Sequence, residues 1–207
     1  MTALGVIGIL MGISVMALGN IKKRGTFASA TGEILASLRR ARSEAYGRGT
    51  ATVFIIDTVG NRWWTIEDVN GAFDPTTGLT VYFNPATPSS AAFPLLATNT
   101  FPAGVTFSGA SAGYGSALPA PYSGIPSFSG SSPAPAYLYC SFCLKQGSRT
   151  GWGAIRFEAS GGAAFSGTSQ GVGQSFSIAG AQETGTNVLT MGIVTKTGLA
   201  ESFQVYQ

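Results

Sequence analysis

Residues 1–49, MTALGVIGIL MGISVMALGN IKKRGTFASA TGEILASLRR ARSEAYGRG, read as one helix of two characters, and the rest of the chain hangs on it. Met1 to Leu18 carries no charge, and only Thr2 and Ser14 are polar. At ~1.5 Å per residue this run reaches roughly 27 Å, about the hydrocarbon thickness of a bilayer. Lys22, Lys23 and Arg24 close it. Beyond them Phe27, Thr31, Ile34, Leu38, Ala41 and Ala45 recur at three- and four-residue spacing, which predicts a buried stripe on a continuing helix. Arg40, Glu44 and Arg48 fall at successive i,i+4 steps on its polar side. Gly47 and Gly49 predict its end.

No Lys or Arg precedes Lys22, so an exported product is expected to have lost a basic leader upstream. An apolar segment at the N-terminus that runs into a long amphipathic helix resembles a mature type IV pilin or a pseudopilin of type II secretion. The stretch Glu33–Thr50, EILASLRRARSEAYGRGT, followed by β-rich sequence, is similar to the helix of the minor pseudopilins. This chain departs from the family in having Gly5 where a glutamate is usual and Lys22 where a proline is usual. The resemblance implies prepilin peptidase processing, a methylated N-terminus, and assembly of copies or related pilins through the helix. Met1, Gly5, Gly8, Gly12, Phe27, Ile34 and Leu38 are its expected packing positions. Gly8 and Gly12 form a GxxxG pair that permits close helix approach. With no acid before Glu33, the Met1 amine is expected either to lose its proton on burial or, the favoured reading, to be met by backbone carbonyls freed where Gly5, Gly8, Gly12 and Gly19 loosen a neighbouring helix.

The expected organisation is a helix over 1–49 and a β-rich head over 50–207, making an α+β chain in which the helix packs on an antiparallel sheet. A head of this size buries a core of its own. Only 10% of residues are charged, mean hydropathy is +0.24, and the 29 glycines favour an all-β head with tight turns. The net charge of +3 is concentrated around 22–24 and 39–48. The resemblance to some minor pilins of competence systems implies that Arg39, Arg40, Arg42 and Arg48 could contact nucleic acid. A solvated helix face braced by Glu44 is the favoured reading, since no aromatic platform accompanies these arginines.

Within the head, Thr50–Asp57 and Arg62–Asp68 predict a hairpin on the helix. Trp63 and Trp64 point to opposite faces of it, so one is expected in the core and the other against a neighbouring subunit. Leu79–Phe83 predicts a third strand, and Ala92–Leu96 and Val105–Phe107 short ones. Residues 108–135 are rich in Gly, Ser, Pro and Ala and predict an ordered surface insertion that covers the head or grips a neighbour. Strands are expected again at Gly153–Glu158, Ala163–Phe165, Gln174–Ile178, Asn187–Thr195 and Glu201–Tyr206. Those flanking Ser160–Gly162 and Thr197–Gly198 resemble the closing hairpins of the pseudopilins.

Catalytic chemistry is unsignalled. The chain has no histidine, which excludes Ser-His-Asp and Cys-His sites. Its nine carboxylates are scattered, and two cysteines cannot complete a zinc site. Cys140 and Cys143 lie at the spacing of a disulfide across a turn, without the βαβ frame of a redox CxxC. Asp74-Pro-Thr-Thr-Gly78 reads as a turn, not a calcium loop. The expectation is a non-enzymatic structural subunit of a pilus-like extracellular filament, without cofactor or metal. It would wait in the inner membrane and end in a filament at the cell surface. The rivals are a minor or tip pseudopilin of a secretion or DNA-uptake machine, and a membrane-anchored adhesin.

Overall fold

In the computed structural model, residues 2–107, 120–125, 139–167, 172–180 and 188–206 are described, with side chains at 22–107, 120–125, 139–167, 172–180 and 192–203. One helix, α1, runs from Thr2 to Arg48, roughly 70 Å at the usual rise. Phe27, Ala30, Thr31, Ile34, Leu35, Leu38, Ala41 and Ala45 are buried along one side of it, which is the predicted stripe with two neighbours added. Gly49 ends the helix at φ 69° and donates its N–H to the Ala45 carbonyl at 3.1 Å. A left-handed residue that closes the last turn in this way costs glycine no Cβ clash.

The chain then forms β1 (Ala51–Asp57) and β2 (Arg62–Asp68), paired antiparallel from Ala51↔Asp68 to Asp57↔Arg62. The Asp57 carboxylate holds the turn by accepting from the Val59 and Gly60 amides at 3.1 and 2.8 Å. Next come α2 (Gly78–Val81), β3 (Leu95–Thr100), β4 (Val105–Phe107), β5 (Trp152–Phe157), β6 (Ala163–Phe165), β7 (Gly173–Gly180), β8 (Val188–Thr195) and β9 (Ala200–Tyr206). As expected the head is antiparallel, and it is built of two sheets. The first has the order β3-β2-β1-β5-β6 and the second β4-β7-β8-β9. The helix stripe and both sheets share one core, in which Ile34 and Leu38 lie with Phe54, Ile56, Phe157 and Phe176.

A second core lies on the other face of the first sheet, where Val53, Ile55, Trp64, Ile66 and Trp152 are covered by Phe73, Leu79, Phe83 and Phe93. This is why β1 is buried throughout. It also corrects the tryptophan expectation: Trp63 is 1% exposed and Trp64 3%. Trp64 stacks on Trp152 with centroids 5.3 Å apart, and neither Trp63 nor Trp64 is left for a neighbouring subunit. The expected strand over Leu79–Phe83 is instead α2. Asp74 starts the turn there, its side chain accepting from the Thr76 amide at 2.8 Å and its carbonyl from the Gly78 amide at 2.6 Å. Local turn chemistry and the burial of Leu79 outweigh the β-propensity of Thr80 and Val81.

Cys140 and Cys143 are bridged, with their Cα atoms 5.3 Å apart. Their turn ties the sheets together. Ser141 donates its N–H to the Ser175 carbonyl on β7 at 2.8 Å, and the Phe142 carbonyl accepts from the buried Ser166 hydroxyl at 2.7 Å beside β6. Replacing both cysteines by alanine is expected to lower stability by about 2 kcal/mol on loop entropy alone. Urea titration of the double variant checks this, and an unchanged midpoint would refute it.

Most of the 108–135 insertion lies outside the described residues. Within 120–125, Ile125 is buried, and Tyr122 packs on Phe203 at 5.2 Å and donates its hydroxyl to the Glu201 carboxylate. That hydrogen bond, with burial as the smaller cause, pushes the tyrosine pKa upward.

Candidate assembly surface

At 100° per residue, α1 presents three sides besides its buried stripe. The side opposite the core carries Gly25, Ser29, Gly32, Ala36, Ser43 and Gly47, all exposed and all small. A Cβ added at Gly25, Gly32 or Gly47 would meet nothing within 4 Å. One flank carries Arg40, Glu44 and Arg48. Glu44 pairs with Arg40 at 3.6 Å and with Arg48 at 2.7 Å, while Arg48 reaches on to Glu67 of β2 at 3.0 Å. The Arg48 hydrogen bond holds the Glu44 carboxyl below the usual carboxylate range, and the same contact raises the Arg48 guanidinium. Thr50 adds a 2.8 Å hydrogen bond to Glu67, so this network stitches the helix end to the first sheet.

The other flank borders the β8–β9 turn. There Arg39, Arg42, Ser43 and Tyr46 face Gly198, Leu199 and Ala200 across an open groove of about 390 Å³. Gly198 sits at φ 74°, and a Cβ on it would come within 3.0 Å of the Arg42 Nε and 3.1 Å of the Gly161 carbonyl, so the turn can approach the helix only as glycine. Arg39 donates to the Ala200 carbonyl at 3.3 Å. Tyr46 is 61% exposed and Leu199 42%, which gives the groove apolar walls around two guanidinium groups.

The four arginines singled out from sequence thus divide between two flanks. Arg40 and Arg48 are engaged by acids, and Arg39 and Arg42 line the groove. Phe27, Ile34 and Leu38 are interior residues of the head. Met1, Gly5, Gly8 and Gly12 lie outside the residues whose side chains are described, as does the apolar run to Leu18. Among the residues whose side chains are described, from Lys22 onward, no helix is long and apolar enough to cross a membrane, and no cluster of three potential metal ligands occurs. Sequence reasoning missed the groove, which exists only because residues 198–200 fold back onto 39–46. It also missed the small outward strip, although the spacing of Gly25, Ser29, Gly32 and Ala36 displays it.

The family described as Type II transport protein GspH matches residues 30–121, which run from the packed part of α1 to beyond β4. No curated protein and no solved structure matches the chain.

Proposed function

We propose that the chain is a pseudopilin-type structural subunit of a filament in the type II secretion class, assembling with other pseudopilins through α1, a reading supported by the match of residues 30–121 to the GspH family. The observation that carries this reading is the division of labour along one unbroken helix. Residues 27–45 sink one side into the head and expose the opposite, small-residue side, while the same helix begins at Thr2 within the apolar sequence. The head over 50–207 rides on that helix as cargo. The subunit waits in the inner membrane with Met1–Leu18 in the bilayer and moves into the filament as that segment exchanges lipid for neighbouring helices. Its role is mechanical, and it takes no cofactor.

Deleting residues 1–24 tests the proposal. The expected product is a soluble, folded, monomeric head that no longer enters filaments, because the stripe from Phe27 onward remains with the head. Filaments still formed by that fragment, seen by electron microscopy, would show that the helix is not the polymerising element.

A further inference from the structure

Resting on the assembly reading above, we propose that the Glu33 carboxylate of one copy seats in the groove of the next, against Arg39 and Arg42. This pair would then set the axial stagger between copies.

Unspent charge points to this pairing. Glu33 is exposed, and among the described residues its carboxylate has no hydrogen bond or ion pair. The other described carboxylates are all engaged: Asp57 by Arg62, Asp68 by Arg156, Glu158 by Arg156, Glu44 and Glu67 by Arg48, Asp74 by its own turn and Glu201 by Tyr122. On the cationic side, Arg42 has no hydrogen-bond or ion-pair partner among the described residues. Arg39 has one neutral acceptor, the Ala200 carbonyl. Two adjacent guanidinium groups with free donors and an isolated carboxylate lie on the same element, and they cannot meet within one copy.

Helix geometry keeps them apart. Glu33 and Arg42 are nine residues distant, which at 100° per residue is two and a half turns, so they sit on opposite flanks. A knob on one flank and a socket on the other make a heterologous contact, which between parallel, axially shifted copies continues without closing. The shift that brings Glu33 level with Arg39 to Arg42 is six to nine residues, about 9–14 Å. The strip of Gly25, Ser29, Gly32, Ala36 and Ser43 between the flanks lets two helix backbones approach closely enough for a glutamate to reach across. Tyr46 and Leu199 then enclose its stem and shield the pair from water. A nucleic-acid phosphate fits the same guanidinium groups less well. Arg40 and Arg48, which a duplex would also need, are already neutralised on the far flank.

The test is charge exchange in the full chain under conditions where the wild type assembles. Glu33→Arg alone, and Arg39→Glu with Arg42→Glu, should each reduce pelletable filament roughly tenfold or more, since each places like charges together. The triple variant carrying both changes should recover it. Heads that unfold at the wild-type urea midpoint show that the loss is not misfolding. A second readout uses Arg42→Lys: a carbodiimide should link Glu33 of one copy to the introduced amine of another, identified by peptide mapping. Single-side variants that assemble like the wild type, or a triple variant that stays defective, overturn the inference and leave the filament reading standing. So does a defect confined to salt-sensitive DNA retention, which would assign the groove to nucleic acid. A wild type that never assembles overturns the filament reading, and the inference falls with it.

Discussion

Leu38→Ala is expected to destabilise the protein by about 2–5 kcal/mol, the range for emptying a leucine site that cannot collapse. Leu38 has no exposed surface and sits in the middle of the α1 stripe, within the core shared by the helix and both sheets. The surrounding groups cannot close the gap easily. Phe54, Ile56, Phe157 and Phe176 are held by strand pairing, and α1 is held at its end by the Gly49 cap and by the Thr52 hydroxyl, which donates to the Ala41 carbonyl at 2.6 Å. The expected loss therefore combines lost transfer energy with a persistent cavity. Gly32→Ala, six residues earlier and on the outward side, should act in the opposite direction. Its new Cβ meets nothing within 4 Å, and alanine is the better helix former by up to about 1 kcal/mol. Urea denaturation of the full chain in detergent, followed by tryptophan fluorescence, reads both. A Leu38→Ala loss below about 1 kcal/mol would mean that α1 contributes little to the core.

These opposite signs reflect how far a sequence shows its own structure. The stripe from Phe27 to Ala45 is legible because helical periodicity names the residues that share a side. Gly49 is legible because a left-handed cap favours glycine there. The β1–β2 hairpin follows from a β-branched run bounded by turn residues, and both closing hairpins from short apolar runs around Ser160–Gly162 and Thr197–Gly198. Periodicity does not say what covers the second face of a sheet. Phe73, Leu79, Phe83 and Phe93 have no common period, so their closure over Trp64 is invisible in the sequence, and alternation alone leaves one tryptophan facing outward. The split into two sheets is equally hidden. It depends on β5 returning to β1 across a long sequence separation, as in Phe54↔Ile155, and on β4 leaving β3 to pair with β7. The groove needs the same long-range knowledge. Its chemistry is nonetheless present in the sequence as arginines that outnumber the acids beside them.

Asp68→Ala is expected to cost about 2–4 kcal/mol, because it leaves the buried Phe73 amide without an acceptor and removes the buried partner of Arg156, which keeps Glu158. The Asp68 side chain has no exposed surface at the end of β2. One oxygen accepts from the Ala72 amide at 3.0 Å; the other accepts from the Phe73 amide at 3.1 Å and from Arg156 Nε at 3.0 Å. Truncation strands the Phe73 amide, and a buried donor without a partner carries its full desolvation cost; Arg156 keeps Glu158, and the Ala72 amide lies on an exposed residue. The effect should spread, since those amides open the segment that carries Phe73, and Phe73 packs edge-on against Phe93 at 5.7 Å in the cover over Trp64. Trp64 should therefore become accessible to acrylamide quenching well before global unfolding, whereas Trp63, on the helix side, should not. Asp68→Asn separates charge from shape. Its carbonyl still serves one backbone amide, but its NH2 group faces donors it cannot satisfy, so its loss should fall between wild type and alanine. An alanine variant within about 1 kcal/mol of wild type, or one in which both tryptophans become quenchable together, would show that Asp68 does not anchor the outer cover.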